Sequence, residues 1–83
     1  MSDTKRNRRT YIKRSIEEIE PTLTKREIDV LDQLVHGGSY KIIGNALNVS
    51  DSAIKFHCHN ILNKFGADSK VEVAVRWALH RER

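Results

Sequence analysis

Two histidines and the chain's single cysteine crowd into SAIKFHCHN, Ser52 to Asn60. Such a group could hold a metal or line a surface that reads a partner. At about 100° per residue, His57 and His59 point roughly 200° apart on a helix, so they cannot clamp one ion as an i, i+4 pair could. Cys58 between them adds no workable geometry, and neither a metal nor a cofactor is expected. The same wheel places Ile54, Cys58, Ile61, Leu62 and Phe65 on one inner face, where Cys58 acts as a small core hydrophobe. His57 borders that face as a structural histidine. Ser52, Lys55, Phe56, His59, Asn60 and Asn63 remain on the outer face. An α-helix fits the major groove of duplex DNA, where Lys donates to guanine, Asn pairs with adenine and an apolar group packs on a thymine methyl. No nucleophile–base or carboxylate pair stands at a spacing that a short helix would bring together, so catalysis is not expected.

The elements that must position this helix are marked by their caps. In LTKREI, Thr24 and Glu27 form a capping box with Leu23 and Ile28 as a hydrophobic staple, and a helix follows with Ile28, Leu31, Leu34 and Val35 apolar and Gly37-Gly38 at its end. Ser39 starts a shorter helix ending near Asn48, with Ile42, Ile43, Ala46 and Leu47 apolar. Only NVS separates it from the third helix, which is capped by Ser50 and runs to Phe65, with Gly66 as its C′ residue. Ser69 and Glu72 form another capping box for a fourth helix reaching about His80. Neither a strand pattern nor an internal repeat is evident, so the expectation is an all-α, four-helix domain. Two helices joined by three or four residues and braced by flanking helices form a helix-turn-helix.

Residues 1–21 differ from residues 22–83, which make the domain. KRNRRTYIKR carries six of the fifteen Lys and Arg residues, EEIE follows closely, and Ile12, Ile16 and Ile19 fall on one stripe of a short helix from about 10 to 19. This segment is either a basic tail leading into a packing helix or an arm lying along a phosphate backbone. Pro21 closes it. A chain of 83 residues buries a single modest core. One cysteine excludes an internal disulfide framework, and no apolar run reaches the length of a membrane span or signal core, so a reducing cytoplasm is expected. The net charge of +4 favours a polyanionic partner.

From Leu23 to Leu79 the chain resembles the DNA-binding domain of LuxR/FixJ/NarL-type, or GerE-like, bacterial transcription regulators. The resemblance rests on Leu23, Thr24, Arg26 and Glu27; on Gly38, Lys41, Ile43 and Leu47; on Ser50, Ile54, Lys55, His57, Ile61, Lys64 and Gly66; and on Glu72. Three positions depart from the family pattern. Gly44 replaces an alanine, lowering helix propensity by up to about 1 kcal/mol, which would loosen the second helix; Ala53 replaces a threonine hydroxyl; and His59 stands where a basic or polar residue is common.

The resemblance implies double-stranded DNA as the partner, a dimer on two half-sites, and base contacts at Lys55, Phe56 and His59. Phe56 has a rival reading as a packing residue against the N-terminal arm. Phosphate contacts are expected from residues flanking the third helix: Tyr40, Lys41, Ser50, Ser52 and Lys64. On the fourth helix, Val71, Ala74, Val75 and Ala78 make one apolar stripe for the core, while Val73 and Trp77 lie opposite and are assigned to a homodimer interface; alternatively the Ile12/Ile16/Ile19 helix covers Trp77 within one monomer. RNA polymerase or another regulator is a further candidate partner, and a module that keeps the fold but binds another regulator is the alternative function. Localisation is expected to be cytoplasmic, with the nucleoid when bound to DNA. Both a stand-alone effector and an excised output domain fit, and the initial methionine leans to the former.

Overall fold

The computed structural model describes residues 14–82. Its elements are all helical: α1 (Ile16–Ile19), a 3₁₀ turn (Glu20–Thr22), α2 (Lys25–Val35), α3 (Tyr40–Leu47), α4 (Asp51–Phe65) and α5 (Lys70–Arg81). Every α-helix begins at a Ser or Thr whose oxygen accepts the amide three residues on, satisfying a donor that the first turn leaves orphaned. Thr24 and Glu27 close the expected capping box, with amide-to-side-chain distances of 3.1 and 3.0 Å. Ser15 and Glu18 close another at the start of α1. Ile12, the first residue of the isoleucine stripe, lies outside the described residues. Ile16 and Ile19 follow the stripe inward, and Ile19 is buried in the same core as the rest of the molecule.

That core joins Val30, Leu31 and Leu34 of α2, Ile43 of α3, Ile54, Cys58, Ile61 and Phe65 of α4, and Val73 and Trp77 of α5. Among the described residues Gly37, Asn48 and Gly66 have positive φ, and the last two shape the corners on either side of α4. Asn48 ends α3 at φ +63° and Gly66 ends α4 at φ +67°, conformations that Asn and Gly adopt at little cost. Each lets the next amide reach back over the helix end: Val49 N–H donates to the Gly44 carbonyl at 2.8 Å, and Ala67 N–H to Leu62 at 3.1 Å.

Gly44 has a role that its low helix propensity concealed. A Cβ built there would stand 2.6 Å from the Val49 carbonyl oxygen, so the missing side chain allows the turn to fold down onto α3. Instead of loosening the second helix, Gly44 is buried at the point where the chain passes closest to it.

The face assignment of α5 is inverted relative to the expectation. Val73 and Trp77 are wholly buried, whereas Val71, Val75 and Leu79 are 69%, 52% and 59% exposed. Apolar residues surround most of this helix, so periodicity leaves two stripes to choose from. The larger payload decides: an indole removes far more apolar surface from water than alanine does. Asp32 Oδ1 on α2 accepts the Trp77 Nε1 hydrogen at 2.8 Å, which meets the ring's one polar requirement. The half-buried Ala74 and Ala78 flank that stripe. The His80 ring lies 5.4 Å from the indole and its Nε2 meets Glu20 at 2.9 Å, tying the N-terminal segment to α5.

Candidate nucleic-acid interface

Helix α4 is held by its inner face and its two ends. Ser50 caps its start, accepting from Ala53 N–H at 3.1 Å, and Ile54, Cys58, Ile61 and Phe65 fix its rotation by burial. Burial pushes the Cys58 thiol up from its ordinary pKa, with Lys70 opposing, so the thiol is an apolar filler here. The opposite face is open to solvent: Ser52, Lys55, Phe56, His59 and Asn63 are exposed, and Asn60 is half-buried. Phe56 is 62% exposed and touches the His57 ring edge-to-face at 5.8 Å. Among the described residues the ring partner of Phe56 is this helical neighbour. Lys55 and His59 make no hydrogen bond or ion pair among the described residues, which leaves both side chains available to a ligand.

The five expected phosphate-contact residues separate into two groups. Lys41 and Ser52 are exposed, and Ser50 offers its hydroxyl proton while its oxygen serves the cap. Tyr40 is half-buried beneath Lys70, whose Nζ lies 4.2 Å from the ring centre; burial, with a smaller effect of Cys58, pushes its phenol up. Lys64 is not a free cation. Its Nζ donates to Glu27 Oε1 and to the Thr22 carbonyl, both at 2.7 Å. The ammonium bolts the end of α4 to the start of α2, across the capping box that Glu27 completes.

Glu27 is the buried charge of the core, 3% exposed. Burial alone pushes its carboxyl up, but the Lys64 hydrogen bond, the Thr24 amide and the Lys64 and His57 charges together outweigh it, so the pKa sits below 4.5. The pairing joins residues 37 apart in the chain. Arg76 makes a second link that no local pattern marks: its Nη1 donates to the Phe65 carbonyl at 3.3 Å and its Nη2 to the Arg14 carbonyl at 2.5 Å. Among the described residues no three His, Cys, Asp or Glu side chains converge on a possible metal position, and no helix is long and apolar enough to cross a membrane.

A short α3 and a longer α4 joined through a left-handed Asn48, with α4 presenting a polar stripe, both packed on α2 and α4 also braced by α5, define a helix-turn-helix of the DNA-binding regulator class. Residues 21–77 match the family described as bacterial regulatory proteins, luxR family, and the chain belongs to that family. It is 39% identical over 59 residues to the nitrate/nitrite response regulator protein NarP of Escherichia coli (strain K12), covering 71% of this chain and 27% of the relative. The same identity holds over 61 residues with NarL of E. coli (strain K12), covering 74% and 27%. It holds over 59 residues with the uncharacterized transcriptional regulatory protein YxjL of Bacillus subtilis (strain 168), covering 71% and 27%. The chain thus spans about a quarter of the length of these curated relatives.

Proposed function

We propose that this chain binds duplex DNA sequence-specifically as a transcription regulator, with α4 in the major groove. The observation that carries the reading is the exposed stripe of Lys55, Phe56 and His59 on a helix whose other face is locked into the core. Lys55 donates to guanine, the Phe56 ring packs against a thymine methyl, and His59 reads a base edge one turn further on. Lys41, Ser52 and the Ser50 hydroxyl take phosphates on either side, with the Tyr40 hydroxyl a further donor at the edge.

The protein acts as a homodimer through α5. With Val73 and Trp77 in the core, the interface residues are Val71, Val75 and Leu79, which stand at i, i+4 and i+8 and form one exposed apolar stripe. A stripe of this kind meets its own copy across a two-fold axis, which would set two α4 helices against two half-sites.

The alternative function, a module that uses α5 to bind another regulator or RNA polymerase, draws on the same stripe and on the scarcity of free cations along α4. Selection from a pool of random duplexes at two salt concentrations tests the choice. Enrichment of a symmetric or repeated sequence that weakens with salt is the expected result. Absence of enrichment, together with a stable protein complex lost on Val75→Asp, would favour the interaction module.

A further inference from the structure

Phe56 is an aromatic side chain with little beneath it. It is 62% exposed on the outer face of α4. A helical side chain leans over the turn N-terminal to its own Cα, so the residues under this ring are Ser52 and Ala53, both small. Neither gives a benzyl group a wall to rest on. A ring that swings among staggered rotamers pays an ordering cost when a partner fixes it, and it presents no single shape for a base to fit.

The described residues give that ring one aromatic partner. The centre of the His57 ring lies 5.8 Å from that of Phe56, with the two planes at 64°. Adjacent side chains on a helix point about 100° apart and do not ordinarily face each other, so the contact exists only in a rotamer pair that turns the rings together. Of the two, His57 is the better anchored. It is half-buried, three residues after Ile54 and four before Ile61, both of which are sealed in the core, so it stands at the margin of the inner face. It is also near enough to the buried Glu27 of α2 for its charge to act on that carboxylate, which Lys64 holds at 2.7 Å. One ring is thus seated against the body of the fold, and the other leans on it from the solvent side.

We propose that His57 is a positioning residue for sequence reading: its ring holds the Phe56 ring in one orientation, so that discrimination at the base pair Phe56 meets depends on a residue that stays out of the groove. This rests on the reading of α4 as a major-groove helix. A ring held still can pack closely on a thymine methyl and fit the other bases less well. The competing role for the same imidazole is a phosphate donor, since among the described residues neither of its nitrogens makes a hydrogen bond. A phosphate contact would strengthen binding to every sequence alike.

The test selects a site from random duplexes and then measures competition by its single-base variants, for the full chain and for Phe56→Ala, His57→Leu, His57→Phe and the F56A/H57L double variant. Thermal unfolding checks the fold of each, and His57→Gln, which keeps a polar head without a ring, replaces His57→Leu should leucine compromise it. Phe56→Ala identifies the base pair that its ring reads. An edge-to-face pair is strong enough to change discrimination there by about 2- to 10-fold. His57→Leu is expected to lose that factor at this base pair and nowhere else, and His57→Phe, which keeps an aromatic ring, to retain it. In the Phe56→Ala background His57→Leu changes nothing further, the coupling that a double-mutant cycle detects. Unchanged discrimination in His57→Leu overturns the proposal. So does a loss spread over all base pairs, or one that recurs undiminished in the Phe56→Ala background, as a phosphate donor or a purely structural residue would give. If the full chain selects a sequence but Phe56→Ala keeps every preference, the positioning role falls and the reading by α4 stands. If the full chain selects no sequence, that reading fails and the role of His57 with it.

Discussion

Replacing Lys64 with methionine separates a bolt in the fold from a phosphate contact. The ammonium makes two bonds of 2.7 Å, to a carboxylate and to a backbone carbonyl. Removing one partner of a buried ion pair costs about 3–5 kcal/mol. The Glu27 side chain is 5% exposed but that of Lys64 is 30% exposed, so water reaches the cation and the loss falls to about 2–3 kcal/mol at pH 7. For a domain of this size the melting temperature then drops by about 10–20 °C.

The loss also depends on pH. Because the Glu27 pKa is lowered in the folded chain, its pairing contributes stability that is fully present above 4.5 and disappears as the pH falls through the lowered value. Without Lys64, burial governs the carboxyl and raises its pKa, so the variant protonates first and the gap to the parent protein narrows between pH 7 and pH 4. Urea unfolding followed by Trp77 emission at pH 7, 5 and 4 measures this directly. A loss below about 0.5 kcal/mol at pH 7 would refute the bolt, as would an equal gap at pH 7 and pH 4. So would intact stability accompanied by a salt slope shallower by about 0.9, the signature of one lost phosphate contact.

Trp77→Ala is expected to cost about 3–5 kcal/mol in chemical unfolding, whereas Val75→Ala costs less than about 0.5 kcal/mol but weakens self-association in sedimentation equilibrium. Gly44→Val should destabilise by about 2 kcal/mol or more, because its branched carbon meets the Val49 carbonyl and Ile54 at once; a melting curve matching the parent protein would show that the turn after α3 moves freely. Lys55→Ala should relax base preference at one position of the selected site by about 1–3 kcal/mol in competition binding, leaving stability within about 0.5 kcal/mol.

The sequence was most legible where structure is local. Thr24, Ser39, Ser50 and Ser69 each serve a cap formed within three residues, so the helices start where the caps predict. The box of Ser15 and Glu18 carries the same local signature beneath the isoleucine stripe. On α4 a single apolar face opposes a polar one, and inner and outer residues sort correctly. On α5 two apolar stripes compete, and only the tertiary partner of the indole, Asp32 at a separation of 45 residues, selects between them. Long-range pairing likewise hides the Lys64–Glu27 pair and the Arg76 link to Arg14, since charge patterning marks a lysine as basic without saying whether a carboxylate waits beneath it. Gly44 misled for a related reason: helix propensity describes the residue's own backbone, whereas its value here lies in the space it leaves for the chain five residues on.

Cys58 turns the inner face of α4 into a clock. The thiol is 2% exposed and its pKa is raised, so a maleimide can reach it only when the helix lifts from the core. If that excursion costs about 4 kcal/mol, the reaction runs about a thousand times slower than with an unfolded chain. As the chain's single cysteine, it needs no competing thiols removed, and its labelling rate with and without duplex would time the opening of the reading helix in the unaltered protein.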